Sequence, residues 1–181
     1  KIINFFENKK VTKLNKIIVI GGGILQDLGA FSCAIYKRGI PWIYLPTTLL
    51  GMTDSCVGGK TGLNYLNKKN ILALFSAPRE VIIDISFLET LSHRDFLSGL
   101  GEALRLHITG GKKYVESFEK NIELAVKKNK QAIKNIILNS LSIKKAVVEE
   151  DEFEKNLRKS MNYGHSLGHA LETLSDFAFP H

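Results

Sequence analysis

The chain has 181 residues, of which 44% are hydrophobic and 24% charged, a composition that excludes a disordered or low-complexity protein. Lys and Arg outnumber Asp and Glu by 25 to 18, and the net charge of +7 indicates an anionic partner, either a polymer or a small phosphorylated metabolite. No apolar run is long enough to span a bilayer. Two cysteines, Cys33 and Cys56, are too few for a disulfide framework, which favours a reducing, cytoplasmic location.

In the first half, short β-branched runs alternate with glycine-rich turns. Three runs are predicted as buried strands: Ile17–Ile20, Trp42–Leu45 and Val81–Ile83. Between the first two, Ile24–Tyr36 predicts an apolar helix with Asp27 in its first turn. The order strand, helix, strand indicates a βαβ unit in a parallel sheet. Asparagines and lysines within Gly62–Phe75 favour a hairpin or another excursion from that sheet.

The second half shows apolar residues at helical spacing. The predicted helices are Phe96–Ile108, Tyr114–Lys127, Ala132–Val148 and Gly164–Leu174. We therefore expect an α/β domain over residues 1–91, which the resemblance described below implies to be Rossmann-like, and an all-α domain over residues 92–181. The basic run from Lys127 to Lys134 follows the helical pattern and is interpreted as a solvated helix face. Aromatic residues are not interleaved with basic ones, so nucleic-acid binding is a minor alternative.

A run of three glycines, Gly21, Gly22 and Gly23, directly follows the first strand and opens the first predicted helix. Glycines at such a turn let a phosphate approach the backbone, and the helix N-terminus supplies free N–H groups for it. The run is not a complete G-x-G-x-x-G pattern, so a tight strand–helix turn without a ligand stays open as an alternative.

Cationic and amide side chains collect in the turns of the α/β half. Lys60 follows two glycines, which leave its ammonium group uncovered and within reach of Asp54, Thr47 and Thr48. Further members of this group are Arg38, Lys69 and Asn70. Together they suit a phosphate or a carboxylate, although a surface lysine is more often only a solvated charge.

A carboxylate and three histidines stand out in the helical half. Glu102 occupies an apolar helix position, where an unpaired carboxylate would be costly. His165 and His169 are four residues apart and would share a helix face, and His181 is the last residue. A carboxylate with two or three histidines suits a catalytic zinc that keeps an open coordination position. Spacing alone leaves open whether His169 is a metal ligand or an acid–base group.

Distinctive segments run through the chain in order: GGGILQDLGAF, YKRGIP, LPTTLLGMTDS, VGGKTGLN, KKN, GEALR, SIKKAVVEEDE and LRKSMNYGHSLGH. Together with His181, this series resembles 3-dehydroquinate synthase and its sugar-phosphate cyclase relatives. The resemblance begins at about Ile17 and continues to the last residue. It leads us to expect the central fragment of a longer two-domain enzyme, without the first strands and the last helices of the family.

The resemblance implies an enzyme that binds NAD, beside a zinc or cobalt ion, between an α/β domain and a helical domain. It implies a phosphate-eliminating lyase that converts 3-deoxy-arabino-heptulosonate 7-phosphate to 3-dehydroquinate in the shikimate pathway of aromatic amino-acid biosynthesis. In such enzymes NAD oxidises a substrate hydroxyl, phosphate is eliminated, the hydride is returned, and an intramolecular aldol reaction closes the ring.

The same resemblance implies roles for individual residues. Glu102, His165 and His181 match the zinc ligands, and His169 matches a substrate-contacting histidine. Arg38 matches an arginine that reaches the site of a neighbouring subunit, which implies a homodimer. The positions that match NAD-contacting residues are Gly22, Gly23, Asp27, Thr47, Thr48, Asp54, Lys69, Thr90 and Leu91. The positions that match substrate-binding residues are Lys60, Asn70, Lys144, Arg158 and Asn162.

The chain also departs from the family pattern. Gln26 stands where the family usually has glycine, and Gly29-Ala30 reverses the usual order, so we expect altered packing beneath the pyrophosphate. Arg105 replaces a substrate-contacting lysine three residues after Glu102, and a planar guanidinium is not equivalent to an ammonium group. Arg105 and the tyrosine in MNYGHS favour another sugar-phosphate cyclase, such as a 2-epi-5-epi-valiolone-type synthase, as the first alternative. Two further alternatives are a metal-dependent oxidoreductase similar to glycerol dehydrogenase and a non-catalytic metal- or nucleotide-binding protein.

Overall fold

The computed structural model describes residues 1–66 and 68–175, without the side chains of His169 and Thr173. In the α/β half the elements are α1 (Ile2–Asn8), β1 (Ile17–Gly21), α2 (Gly23–Ile35), β2 (Trp42–Pro46), β3 (Lys60–Tyr65), β4 (Lys68–Phe75) and β5 (Glu80–Val81). A π-helical turn, Gly51–Ser55, lies between β2 and β3, and a 3-10 helix, Ile85–Glu89, leads into the helical half.

Strands β1, β2 and β5 form a parallel sheet in that order. Gly21 lies opposite Pro46 at the end of the β1–β2 pairing. Helix α2 connects these two strands and packs closely on β1, because a Cβ atom on Gly29 would lie only 2.5 Å from Val19 Cγ2. The predicted βαβ unit is confirmed, and so is the fold class of an α/β half followed by helices.

Strand β1 is less buried than the sequence predicted. Ile18 and Ile20 are 57% and 52% exposed, so the prediction of a fully buried strand is wrong. Among the described strands β1 pairs only with β2, and its successive side chains point to opposite faces, of which α2 covers one. β2 is the central strand, and its Trp42 and Tyr44 side chains are buried as predicted.

β3 and β4 form an antiparallel hairpin in which Lys60 lies opposite Phe75. The hairpin predicted within Gly62–Phe75 is therefore confirmed, and it begins two residues earlier. The strand predicted over Val81–Ile83 pairs only at Glu80–Val81, so the third strand of the parallel sheet is short.

Helix α2 has the predicted length of 13 residues but begins and ends one residue earlier, and Tyr36 after it has an extended ψ of 124°. Lys37 and Arg38 follow with φ values of 48° and 63°, in the left-handed region. Since α2 begins at Gly23, Asp27 is its fifth residue and lies just beyond the first turn in which it was expected.

The helical half consists of α3 (His93–Gly110), α4 (Lys112–Val126), α5 (Lys130–Glu150), a 3-10 helix (Leu157–Asn162) and α6 (His165–Leu174). Side chains cap two of these helices: Ser92 Oγ accepts from the Asp95 N–H at 3.1 Å, and Asn129 Oδ1 accepts from the Ala132 N–H at 3.0 Å. The four predicted helices are confirmed, with boundaries within three residues of the observed ones.

The basic run from Lys127 to Lys134 is not one helix face, because it spans the turn between α4 and α5. The four lysines of the run are exposed as predicted, but the single helix face is wrong. Lys128 has a φ of 63°, and its Nζ donates to the Leu88 carbonyl at 3.2 Å and lies 3.5 Å from the ring centroid of Phe96. The turn therefore packs against the helical core instead of continuing the helix.

Two apolar cores hold the described residues together. The first combines side chains of α3, α4 and α5 with Leu49 and Met52, which follow β2. The second packs α1 and α2 against the sheet. Ile83 and Leu141 contact both cores, so packing continues across the predicted domain boundary, and that boundary stays a prediction. Within the described residues, each helix is too short or too polar to cross a membrane.

Candidate functional site

Charged side chains link the α/β half to the helical half. Lys144 of α5 places Nζ 2.6 Å from Asp54 Oδ1 and donates to the Asp54 backbone oxygen at 2.6 Å. Asp54 Oδ1 also lies 3.8 Å from Nη2 of Arg105 on α3, and the same nitrogen donates to Glu102. The structure thus brings together positions for which NAD, substrate and metal contacts were predicted separately.

Glu102, a predicted metal ligand, is 6% exposed, and its Oε2 lies 3.7 Å from His165 Nε2 at the start of α6. Burial raises the pKa of Glu102, but the nearby His165 imidazole and the hydrogen bond and charge of Arg105 outweigh burial and hold the pKa well below its usual range. Glu102 is therefore ionised at neutral pH, the state that a metal-binding carboxylate requires. A cavity of about 270 Å³ lies beside Glu102, Arg105 and His165.

The donor chemistry beside this cavity fits zinc or cobalt, since a carboxylate oxygen and an imidazole nitrogen are both ordinary ligands of these ions. Glu102 and His165 supply these two donors. Among the described residues, no three His, Cys, Asp or Glu side chains converge as a complete metal-binding group. The third predicted ligand, His181, and the side chain of His169 lie outside the described residues.

A second cavity, of about 520 Å³, lies against the β3–β4 hairpin and is bordered by Asp27, Lys60, Asn70 and Glu154. Lys60 Nζ forms an ion pair of 2.5 Å with Glu154 Oε2, and Asn162 Nδ2 donates to Glu154 Oε1 at 2.7 Å. Three residues predicted to bind substrate, namely Lys60, Asn70 and Asn162, are thus brought to one region.

Glu154 is a candidate that the sequence reasoning missed. Burial raises its pKa, but hydrogen bonds with Lys60 and Asn162 outweigh burial and keep the pKa below its usual range. A signal was available, because Glu154 ends the acidic run EEDEFE just before Arg158. Lys60 pairs with this carboxylate, whereas its expected neighbour Asp54 pairs with Lys144.

Arg158, predicted to bind substrate, is 2% exposed. Its guanidinium donates to the Glu152 carbonyl and, at 3.0 Å, to the Gly58 carbonyl. A Cβ atom on Gly58 would overlap the guanidinium, so glycine makes this contact possible. Arg158 therefore joins the loop before β3 to the segment after α5.

The glycine turn has the shape that a phosphate needs. Gly22 is the N-cap of α2, and a Cβ atom there would lie 2.9 Å from Thr48 Cγ2. No heavy atom of the described residues lies within 4 Å of the position that a Cβ atom on Gly23 would take. Because the cap residue is glycine, the first N–H groups of α2 have no capping side chain from it. This cradle fits the pyrophosphate of NAD, with the predicted contact residues Thr47 and Thr48 beside it.

Two neighbouring side chains of α2 bond to elements that follow β2. Burial raises the pKa of Asp27, although its Oδ1 accepts a hydrogen bond from Thr61 Oγ1 at 2.9 Å that acts in the opposite direction. Gln26 is buried: its Nε2 donates to the Ser55 carbonyl, and Ser55 Oγ donates to Gln26 Oε1, both at 2.6 Å. Gln26, which stands where the family usually has glycine, thus connects α2 by hydrogen bonds to the π-helical turn that contains Asp54.

The remaining predicted positions lie apart from the two cavities. Lys69 on β4 pairs with Glu172 of α6 at 3.1 Å. Thr90 and Leu91 lie between the 3-10 helix and α3, and Leu91 packs against the helical core. Arg38 is exposed in the left-handed turn after α2. The functional roles of these four residues stay predictions.

Solved structures first define the class of fold. The 2-epi-5-epi-valiolone synthase from Streptomyces hygroscopicus, with NAD+ and Zn2+ bound, has a TM-score of 0.83 at 25% identity and covers 96% of this chain and 49% of its own. A 2-deoxy-scyllo-inosose synthase complexed with carbaglucose-6-phosphate, NAD+ and Co2+ has a TM-score of 0.84 at 22% identity, covering 98% and 49%. The chain therefore has the fold of sugar-phosphate cyclases.

Sequence comparison narrows this class to one family. The profile of the 3-dehydroquinate synthase N-terminal region matches residues 1–98, and that of the C-terminal region matches residues 99–181. The 3-dehydroquinate synthase of Citrifermentans bemidjiense is 44% identical over 161 residues (89% of this chain, 44% of that protein). That of Streptococcus pyogenes serotype M49 is 41% identical over 170 residues (94% and 47%). The chain belongs to the 3-dehydroquinate synthase family and spans about half the length of these relatives.

Proposed function

We propose that the full-length protein is a 3-dehydroquinate synthase, an NAD- and zinc-dependent lyase that converts 3-deoxy-arabino-heptulosonate 7-phosphate to 3-dehydroquinate with release of phosphate. The observation that carries this proposal is the contact series from Lys144 through Asp54 and Arg105 to Glu102 and His165. It joins the predicted cofactor, substrate and metal positions in a chain of the 3-dehydroquinate synthase family.

The charges of the side chains indicate which part of the substrate or which cofactor each residue would bind. Glu102 and His165 would hold the metal, which supplies Lewis-acid polarisation of a substrate hydroxyl, while NAD at the glycine turn supplies a hydride acceptor. Lys60 and Asn162 both bond to the Glu154 carboxylate in this structure. When substrate binds, its phosphate would take the place of that carboxylate on the two side chains. We assign the substrate carboxylate to Lys144, and the support is its buried ammonium group 2.6 Å from Asp54 Oδ1.

We further propose a homodimer in the cytoplasm. Arg38 supports the dimer, because its exposed turn presents a cation away from the two cavities and available to a second subunit. The two buried free cysteines, Cys33 and Cys56, are consistent with a reducing compartment.

Another sugar-phosphate cyclase is the second candidate. Its support is Arg105, which stands where the 3-dehydroquinate synthase pattern has lysine, and the likeness to the 2-epi-5-epi-valiolone synthase structure. A dehydrogenase is favoured less, since the glycerol dehydrogenase of Schizosaccharomyces pombe has a TM-score of 0.56 at 16% identity, a likeness of fold alone.

The test is phosphate release by the full-length protein incubated with NAD, zinc and 3-deoxy-arabino-heptulosonate 7-phosphate. We expect release that a chelator abolishes and added zinc restores, with no net NADH. Substitution of Lys60 by Met should reduce turnover by about 100-fold, whereas Lys68→Met, on an exposed lysine of the same hairpin, should leave it near the wild-type rate. Release only from a heptulose phosphate without a carboxylate would favour the other cyclase, and accumulating NADH with a polyol would favour the dehydrogenase.

A further inference from the structure

Arg105 is a buried cation whose placement the proposed substrate role does not explain. It lies one helical turn after Glu102 on α3, and its side chain is 11% exposed. Its Nη2 donates to Glu102 Oε1 and lies 3.8 Å from Asp54 Oδ1. Both contacts are to carboxylates of the protein itself, so this end of the guanidinium faces inward.

The contact with Arg105 makes the two oxygens of Glu102 unequal. Oε1 accepts the hydrogen bond from Arg105, while Oε2 lies 3.7 Å from His165 Nε2. A carboxylate that rotated freely would present either oxygen to the imidazole. Held at Oε1, Glu102 presents Oε2 beside the nitrogen with which it would share a metal ion.

Hydrogen bonds from the other two guanidinium nitrogens, Nε and Nη1, do not account for the position of Arg105 in the described structure. Its Nε and Nη1 are buried and make no hydrogen bond within the described part of the chain. Leaving the three N–H groups of these two buried nitrogens unpaired is costly, so the interaction at Nη2 must favour this arrangement. Asp54, the second anion near Nη2, is itself held by Lys144 at 2.6 Å.

We propose that Arg105 is a positioning residue that orients Glu102 toward His165 and thereby strengthens divalent-metal binding. The inference rests on the proposed metal site. It also predicts whether metal binding tightens or weakens when Arg105 is removed, because a cation close to a metal ion repels that ion. If Arg105 acted through its charge alone, its removal would tighten metal binding. If Arg105 positions Glu102, its removal weakens metal binding despite the relief of repulsion.

The test is a Co2+ titration of the full-length protein, freed of metal, followed by visible absorption and by competition with a chromophoric chelator. In Arg105→Met we expect the Kd for Co2+ to rise about 10-fold or more and the Co2+ spectrum to change. Arg105→Lys keeps a charged donor and should restore the Kd to within about threefold of the wild-type value. Arg79→Met removes an exposed arginine outside the site and is the matched control.

Glu102→Gln separates this inference from the proposed function. If that variant loses Co2+ binding while Arg105→Met binds as tightly as the wild type or more tightly, the positioning role is overturned and the metal site stands. If Glu102→Gln binds Co2+ normally, the metal site itself is wrong. Should Arg105→Met fail to fold by circular dichroism, Arg105→Gln replaces it in the same titration, with the same expected weakening and the same overturning result.

Discussion

At the scale of single residues, buried charged groups mark the candidate site. Glu102, Lys144 and Arg158 are each less than 10% exposed, and each contacts an opposite charge or a carbonyl oxygen. An ionised group buried without such partners would be too costly to keep. A carboxylate at an apolar helix position, as Glu102 is in the sequence, therefore predicts that a partner exists without saying which one.

His107 is a buried titratable group of α3 that serves the fold. It is fully buried, packs 5.0 Å from the Phe118 ring centroid, and its Nδ1 donates to the Ala103 carbonyl at 2.7 Å. Burial lowers the pKa of His107, because a charged imidazolium would be desolvated there. This packing identifies His107 as a structural residue.

We expect His107 to destabilise the protein at low pH. Because its pKa is lower in the folded than in the unfolded state, its contribution to stability is complete above the unfolded value of about 6.5 and is lost as the pH falls. Between pH 7.5 and 5.5 the free energy of unfolding should fall by at most about 1.4 kcal/mol through this group. Urea unfolding of wild type and His107→Leu across this range measures the effect. Equal pH slopes would show that His107 is not the source.

At the scale of elements, Arg158 joins two loops, the one before β3 and the one after α5. The loop before β3 offers the Gly58 carbonyl to Arg158 at 3.0 Å. The segment after α5 is shaped by Asp151, whose carboxylate accepts from the backbone N–H groups of Lys155, Asn156 and Arg158 at 2.8, 2.7 and 3.1 Å. Such side-chain bonds to the backbone fix a loop in the way a cap fixes a helix end.

Gly58→Ala tests the junction between these loops. Gly58 has a φ of 99°, and its added methyl group would overlap the guanidinium of Arg158, so we expect a loss of about 2 to 4 kcal/mol in urea unfolding. Gly111→Ala is the matched control, since Gly111 has a φ of 97° with no described heavy atom within 4 Å of its Cβ position. Its loss should be about 1 to 2 kcal/mol, from backbone strain alone. Equal losses in the two variants would contradict the role of the Arg158 contact.

At the scale of the whole molecule, the two cores are connected rather than independent. Leu49 and Met52 follow a strand of the parallel sheet but are buried among the helices. Ile83 and Leu141 contact both cores. The charged series from Lys144 to Glu102 therefore lies between elements that are packed together, which keeps its short contacts in place.

Shared packing predicts cooperative unfolding. Met52→Ala, at a fully buried position, should cost about 2 to 5 kcal/mol. Fluorescence of Trp42, the single tryptophan, reports on the α/β core, and far-UV circular dichroism reports mainly on the helices. Both signals should shift to lower urea together. Leu14→Ala, at a residue 94% exposed, should change stability by less than about 0.5 kcal/mol. Two separate transitions, with only the helical one moved, would contradict the connection.

Local pattern predicted most of the fold and part of the site. The βαβ unit, the hairpin and the four helices were predictable because hydrophobic period and caps are properties of neighbouring residues. The burial of β1 was not, because a run of apolar residues does not show whether one or both faces of a strand are covered. The turn at Lys128 was missed, and the contacts of its Nζ with Leu88 and Phe96 join residues that are distant in the sequence.

The sequence by itself determined which residue types are present for the chemistry: the glycine turn, the cations of the first half, and Glu102 with the histidines. The tertiary structure decided which of them touch. Lys60 pairs with Glu154, Lys144 with Asp54, and Arg105 with Glu102. The first two pairs join residues about 90 positions apart, and no local period encodes such a contact. It follows from how the helices pack against the sheet, since packing sets which buried charges must neutralise each other.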